Sequence, residues 1–256
     1  MQIHFTCTMC GNCCHNLRLP LSVEEAMQWL DRGGDVHMFS EAIPWTVEPA
    51  VDDRQAQYKR ARSFPGVSGE LPVRVIVTIV ASFDGPCPYL QADLRCGAYD
   101  ARPNVCRIYP AEINPFVEMT PDLKSCPPDA WSAEKPALVK QGQIVDSVTA
   151  ALIADSRAAA IRNVAVKERL CANLDISIAS LANEGFVSLA LPRGEFLREL
   201  RRAYHAKPQP VPTRSWLIVS NRNGTIDTLR SINANAEVHT ETSHAVDYIA
   251  FFGTGQ

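Results

Sequence analysis

FTCTMCGNCC, residues 5–14, puts Cys7, Cys10, Cys13 and Cys14 within eight positions of one another. A second set is spread out: Cys87, Cys96, Cys106 and Cys126, embedded in GPCPYL, LRCGAYDARP, NVCRIYP and KSCPPD. Cys171 stands apart on a helical pattern and reads as a small buried hydrophobe. The start of the chain, MQIHFTCTMCG, has neither the cationic opening nor the apolar run of a secretory leader. The expected compartment is therefore the reducing cytoplasm, where thiolates this dense point to metal rather than disulfides. A secreted disulfide scaffold would suit the even count of eight. At 256 residues, however, the chain is long enough to bury a real core, and the neighbours Cys13 and Cys14 are poor partners for each other.

Composition fits a globular protein, with 46% hydrophobic and 21% charged residues. The net charge of −3 offers no basic footprint for nucleic acid or for an acidic membrane surface. No stretch approaches the roughly 20 apolar residues of a spanning helix, so no membrane partner is expected.

In Cys7-x-x-Cys10-x-x-Cys13 three thiolates recur at equal steps, a spacing that wraps around three corners of a cubane with a remote cysteine on the fourth iron. Such remote ligands are often followed by proline, as Cys87-Pro88 and Cys126-Pro127 are. One or two [4Fe–4S] clusters are expected on this pattern. Zn2+ is the alternative, because Cys10-x-x-Cys13 with two cysteines of the second set makes an ordinary four-thiolate site. Gly11 lets the loop backbone turn close to the metal.

Around the first set, Ser22 and Glu25 make a capping box opening a helix with Val23, Ala26, Met27 and Leu30 on one face, ended by Gly33-Gly34. Residues 35–72 read as an irregular insertion or flap. Val73–Ser82 reads as a strand entering the Cys87 loop. Between Gly85 and Pro128 prolines punctuate the chain and predict rigid turns, with one short helix opening near Pro103. A helical region is expected from Lys135 to Leu174, with an apolar stripe of Ile144, Val148, Ala151, Leu152, Ile161, Val164 and Ala165. A further helix covers Gly194–His205. SWLIVS, an Asn223-Gly224 turn, TIDTLRSI and AVDYIAFF read as a terminal β-element. The fold class is α+β, with a cysteine-rich metal-binding domain at 1–134 and a helical and β region at 135–256.

FTCTMCGNCC followed by CPYLQADLRCGAYDARPNVCRIYP resembles the CxxCxxCC (YkgJ-like) family of zinc- or iron-chelating proteins. The matching positions are Cys7, Cys10, Gly11, Cys13, Cys14, Cys87, Tyr89, Leu90, Cys96, Tyr99, Arg102, Pro103, Cys106, Arg107 and Pro110, with Cys126 as the usual later cysteine. The resemblance implies metal binding through all eight cysteines. One branch of the family includes the flagellin lysine N-methylase, which implies metal-assisted modification of a protein side chain; the expected function is an iron–sulfur or zinc protein with an enzymatic or redox role on a protein or small molecule. No glycine-rich loop after a strand offers a Rossmann-type site for S-adenosylmethionine. A non-catalytic module for metal storage, delivery or sensing is the other expectation.

Arg102 and Arg107 flank Cys106 and are placed to offset the charge of an anionic cluster from outside its ligand shell. Tyr89, Tyr99 and Tyr109 are expected to shield the metal from water. His4 and His15 bracket the first cysteine set but are not needed as ligands, and His37, His205, His239 and His244 show no metal spacing. No catalytic residue is assigned.

Overall fold

The computed structural model describes residues 2–209, 211–240 and 246–253. In chain order the elements are β1 (Gln2–His4), β2 (His15–Leu21), α1 (Val23–Asp31), β3 (Val36–Pro44), α2 (Arg54–Ala61), β4 (Phe64–Ser68), β5 (Leu71–Pro86) and α3 (Asn104–Ile108). They continue with β6 (Ala137–Lys140), β7 (Gln143–Ile144), α4 (Ser147–Arg162), α5 (Val164–Asn173), β8 (Ile178–Leu181) and β9 (Gly185–Ala190). The last are α6 (Arg193–His205), β10 (Leu217–Ser220), α7 (Asn223–Ser231), β11 (Ala236–Val238) and β12 (Asp247–Ala250). Short 3-10 turns lie at Tyr99–Ala101, Pro121–Leu123 and Pro128–Trp131. The mixture of helices and sheets is α+β, as expected.

The chain divides into two compact units that interleave along the sequence. A cysteine unit is made of Met1–Leu21 and Ala81–Ala159, and a sheet unit of Ser22–Val80 and Ala160–Gln256. These units do not follow the 134/135 boundary drawn from the sequence. Reading order along a chain cannot reveal that residues 22–80 pack with residues 160–256.

In the sheet unit the strands run in the order β11-β10-β8-β3-β5. β3, β8, β10 and β11 are mutually parallel along that path. β9 pairs antiparallel with both β3 and β12, and β4 antiparallel with β5. α7 is the crossover that parallel β10 and β11 require. α5 packs on α6, and α6 on α1. α1 starts as its sequence dictates: Ser22 Oγ accepts from the Glu25 N–H at 3.1 Å, and the Glu25 carboxylate accepts from the Ser22 N–H at 2.8 Å. The buried Asn163 side chain takes the next free donor, the Val23 N–H, at 2.9 Å. Trp216, wholly buried, lies against Phe64 and over Gly66, where any Cβ would come within 2.9 Å of the indole.

The cysteine unit has a small core: Ile3, Ile108, Ala111, Met119, Leu138, Val139 and Ile153, with Phe5, Ile113, Trp131, Ile144 and Leu152 packed against it. β1, β6 and β7 form its three-stranded antiparallel sheet, with Ile3 opposite Val139.

Several local expectations are corrected. Residues 35–72 contain β3, α2, β4 and the start of β5 rather than an irregular flap. β3 escapes a reading by alternation because Ser40 is buried in it, its hydroxyl donating to the Ile178 carbonyl at 2.7 Å. The stretch from Lys135 opens with the hairpin of β6 and β7, turning at Gln141 and Gly142 with φ of 53° and 75°. On α4 the buried positions are Thr149, Ile153 and Ala159, whereas Val148 and Ile161 are exposed. Asn223-Gly224 opens α7 instead of a hairpin, and TIDTLRS is helical. A first helical turn tolerates Asn-Gly because its N–H groups have no partner four residues back.

Candidate metal centre

All eight cysteines of the two sets lie in the cysteine unit. The chain is anchored just ahead of the first set: the Phe5 N–H donates to Pro136 O and the Thr6 N–H to Ala130 O, both at 3.0 Å. It then turns sharply, with Met9 at φ 55° and Gly11 at φ 73°, and the Cys14 N–H closes onto Gly11 O at 2.9 Å. The left-handed backbone at 11 is one reason for glycine. The other is contact, since a Cβ there would sit 3.3 Å from both Leu90 Cδ1 and Leu94 Cβ. The loop carrying Cys7, Cys10 and Cys13 is thus pressed onto the hairpin that carries Cys87 and Cys96.

Cys14 leads into β2, which runs beside the end of β5. There the Cys87 N–H donates to Cys14 O at 2.7 Å. From Cys87 the chain makes a tight hairpin, with a bridge between Leu90 and Cys96 and the Gly97 N–H on Tyr89 O at 2.7 Å. Cys106 lies on α3, which starts after Pro103 as expected and packs on β2. Cys126 comes from another direction. Asn12 Nδ2 donates to Ser125 O at 3.2 Å, so the first loop holds the residue before Cys126 directly. Trp131 Nε1 reaches Cys126 O at 3.4 Å.

All nine cysteines are free thiols. Their mutual electrostatics sort the eight into two neighbourhoods. Cys13 feels the charges of Cys126, Cys7 and Cys10, and Cys126 feels those of Cys10 and Cys7. Cys106 feels Cys87, Cys14 and Cys96, and Cys87 feels Cys14 and Cys96. The adjacent pair Cys13 and Cys14 links the two, through a thiol hydrogen bond that holds Cys13 below the usual thiol range and Cys14 well above it. Burial, reinforced by the three neighbouring thiolates, pushes Cys106 up to about 12. Burial also raises Cys87 and Cys126.

These are the shifts of soft donors crowded together, and a cation among them would favour the thiolate form instead. Among the described residues no group of three or more His, Cys, Asp or Glu side chains is arranged to hold an ion as it stands. The thiols are neighbours rather than a finished coordination sphere. The donor chemistry nonetheless fits zinc or iron. The Met9 N–H points at Cys7 Sγ at 3.4 Å, and the N–H groups of Tyr89 and Leu90 hydrogen-bond the Cys87 sulfur, the backbone support expected of metal-bound thiolates.

The flanking residues behave unequally. The Arg102 charge reaches Cys14 and Cys106. Its guanidinium donates to Tyr99 O at 3.0 Å and lies 3.6 Å over the Tyr99 ring. Arg107 is exposed. Tyr99 is itself 48% exposed and serves as a platform for Arg102 more than as a shield. Tyr109 is the tyrosine that engages a ligand candidate: its hydroxyl accepts from the Ser125 N–H at 2.9 Å and hydrogen-bonds the Cys126 sulfur. His4 Nδ1 is bonded to Lys135 O at 2.6 Å and His15 Nδ1 to Gly11 O at 3.2 Å. His37 bonds Ser188 Oγ and His239 the Val246 carbonyl, His205 is exposed, and His244 lies outside the described residues. Asn12 and Trp131, which secure the Cys126 segment, carry no sequence signal that would single them out.

Residues 6–127, which include all eight of these cysteines, match the family model CxxCxxCC, described as a putative zinc- or iron-chelating domain. Over that span the chain is similar to a CxxCxxCC domain. No curated protein and no solved structure matches the chain. The CxxCxxCC domain is a unit of sequence rather than of packing, for its span runs through β3, α2 and β4 of the sheet unit on the way from Cys14 to Cys87. Metal binding, to zinc or iron, is what the family supports. Among the described residues no helix is long and apolar enough to cross a membrane.

Proposed function

We propose that the chain is an iron–sulfur protein holding its metal through Cys7, Cys10, Cys13, Cys14, Cys87, Cys96, Cys106 and Cys126, with an enzymatic or redox role on a protein or small molecule. The observation that carries this is the company of the first three thiols. Cys7, Cys10 and Cys13, spaced in equal steps, share one electrostatic neighbourhood with Cys126, the remote cysteine followed by proline. That is the donor pattern of a cubane cluster. When bound, such a cluster supplies one-electron chemistry. The chain's own contribution is to half-bury all the cysteines but Cys7, aim N–H groups at Cys7 and Cys87, and set Arg102 beside Cys14 and Cys106 to offset negative charge. Neighbourhoods made of thiols alone favour electron transfer or structure over Lewis-acid catalysis, which needs an open position. Side-chain modification in the manner of the methylase branch rests on the resemblance alone.

A second reading is a module that takes up and hands on zinc or iron. It is favoured by Cys7, which is exposed while the other seven are half-buried. Anaerobic purification followed by absorption spectra and elemental analysis decides between them. Iron and sulfide with a broad band near about 400 nm support the cluster. A colourless chain with stoichiometric zinc overturns the cluster and leaves chelation standing. A chain with neither metal overturns chelation.

A further inference from the structure

The peptide between Cys13 and Cys14 divides the set. On its N-terminal side, Cys7, Cys10 and Cys13 sit in a loop whose Asn12 side chain holds the Ser125 carbonyl, so that loop and Cys126 belong together. On its C-terminal side, the Cys14 carbonyl holds the Cys87 N–H, and the Leu90–Cys96 bridge ties Cys87 and Cys96 into one hairpin. α3, bearing Cys106, packs on β2 directly after Cys14. We infer that the eight cysteines form two separate four-thiolate centres, Cys7/Cys10/Cys13/Cys126 and Cys14/Cys87/Cys96/Cys106, and that the first releases its metal before the second. The inference rests on the chelation reading above and adds the division and the order of release.

The order follows from how the ligands are held. Every ligand of the first centre lies outside strands and α-helices, and Cys7 is exposed. In the second centre Cys106 lies on α3, Cys14 directly precedes β2, Cys87 directly follows β5 and Cys96 is bridged to Leu90, and all four are half-buried. Local opening is cheapest where few hydrogen bonds and apolar contacts resist it. Adjacent cysteines assigned to two centres also explain a doublet that a single mononuclear site has no use for.

The test uses the chain as purified. Metal is withdrawn in increments with a chelator under reducing, anaerobic conditions while a thiol alkylator marks each cysteine as it becomes free. Peptide fragmentation separates Cys13 from Cys14, and elemental analysis follows metal content. Cys7, Cys10, Cys13 and Cys126 should become labelled together with the first loss of metal. Cys14, Cys87, Cys96 and Cys106 should follow at least about tenfold more slowly. Labelling of all eight in one phase, or of Cys126 in step with Cys96 and Cys106, overturns the division while the metal initially present upholds chelation. A chain that carries no iron or zinc, with all eight thiols reactive from the start, fails at the chelation reading instead. As a second measurement, Cys126→Ser should lose one centre and keep Cys87, Cys96 and Cys106 protected. Loss of protection at all three in a variant that retains sheet-unit structure counts against two centres.

Discussion

Among the described residues, eleven of the twelve largest fully buried side chains belong to the sheet unit, and Ile108 is the one in the cysteine unit. The sheet unit buries Ile218, Val75 and Ile79 on its strands, Trp216 just ahead of β10, and Phe196, Leu170 and Leu200 on α6 and α5. The cysteine unit has short strands, a five-residue helix and long proline-punctuated turns. Hydrophobic burial is enough to hold the first. The second keeps only a small apolar cluster. A unit so poor in core needs another source of folding energy, and thiolate–metal bonds are the one its sequence supplies.

Stripping the metal should break the contrast most visibly. Structural thiolate sites are worth on the order of 10 kcal/mol. Chelation under reducing conditions should therefore abolish amide-exchange protection in β1, α3 and β6 and leave it in β5 up to Val80, in α5 and in β10. Equal protection of the cysteine unit with and without metal would show that its own contacts suffice.

The opposite lesion is Trp216→Ala, which empties the largest buried site of the sheet unit and should cost about 3–5 kcal/mol. Chemical denaturation gives that figure, while the folded variant's metal content should stay at the parental level. A parallel loss of metal would mean that the units do not hold their ligands independently.

Lys167 sharpens the comparison from inside the sheet unit. Its ammonium is buried on α5, and desolvation, with the Arg62 charge adding to it, brings its pKa down to about 8 from 10.5. Below about pH 8 both folded and unfolded chains are protonated, and the fold bears the full penalty of a buried charge. Between about pH 8 and 10.5 the unfolded chain binds more protons, so stability rises with pH. The gain is at most about 3 kcal/mol. Lys167→Met should be more stable than the parent at pH 7, with the difference between the two shrinking as pH rises through that window. A difference independent of pH would show that the lysine is solvated in the fold.

What could be read from the chain differs between the units in the same way. Cysteine spacing is a local chemical signal, so the ligand candidates stood out, and a capping box or a β-branched run such as Val73–Ser82 is equally local. The division of the eight into two fours was hidden, because it depends on Asn12 finding Ser125 and Cys14 finding Cys87, contacts that span 113 residues in one case and join two strand ends in the other. β3 was missed because buried Ser40 breaks its apolar pattern, its hydroxyl being satisfied by a carbonyl of β8. α7 was missed because Asn-Gly serves hairpin turns and helix starts alike.

The interleaved threading has a consequence for how the protein can be made. Cys7 leaves the ribosome more than a hundred residues ahead of its partner candidate Cys126, and β3 must wait for β8 at Ile178 before it has its parallel neighbour. Neither half can be expressed as a continuous fragment, because each is stitched from two stretches with the other's chain between them. During synthesis the first four cysteines are therefore left as reactive thiols, open to oxidation or to a wrong metal, until the segment carrying Cys126 has emerged.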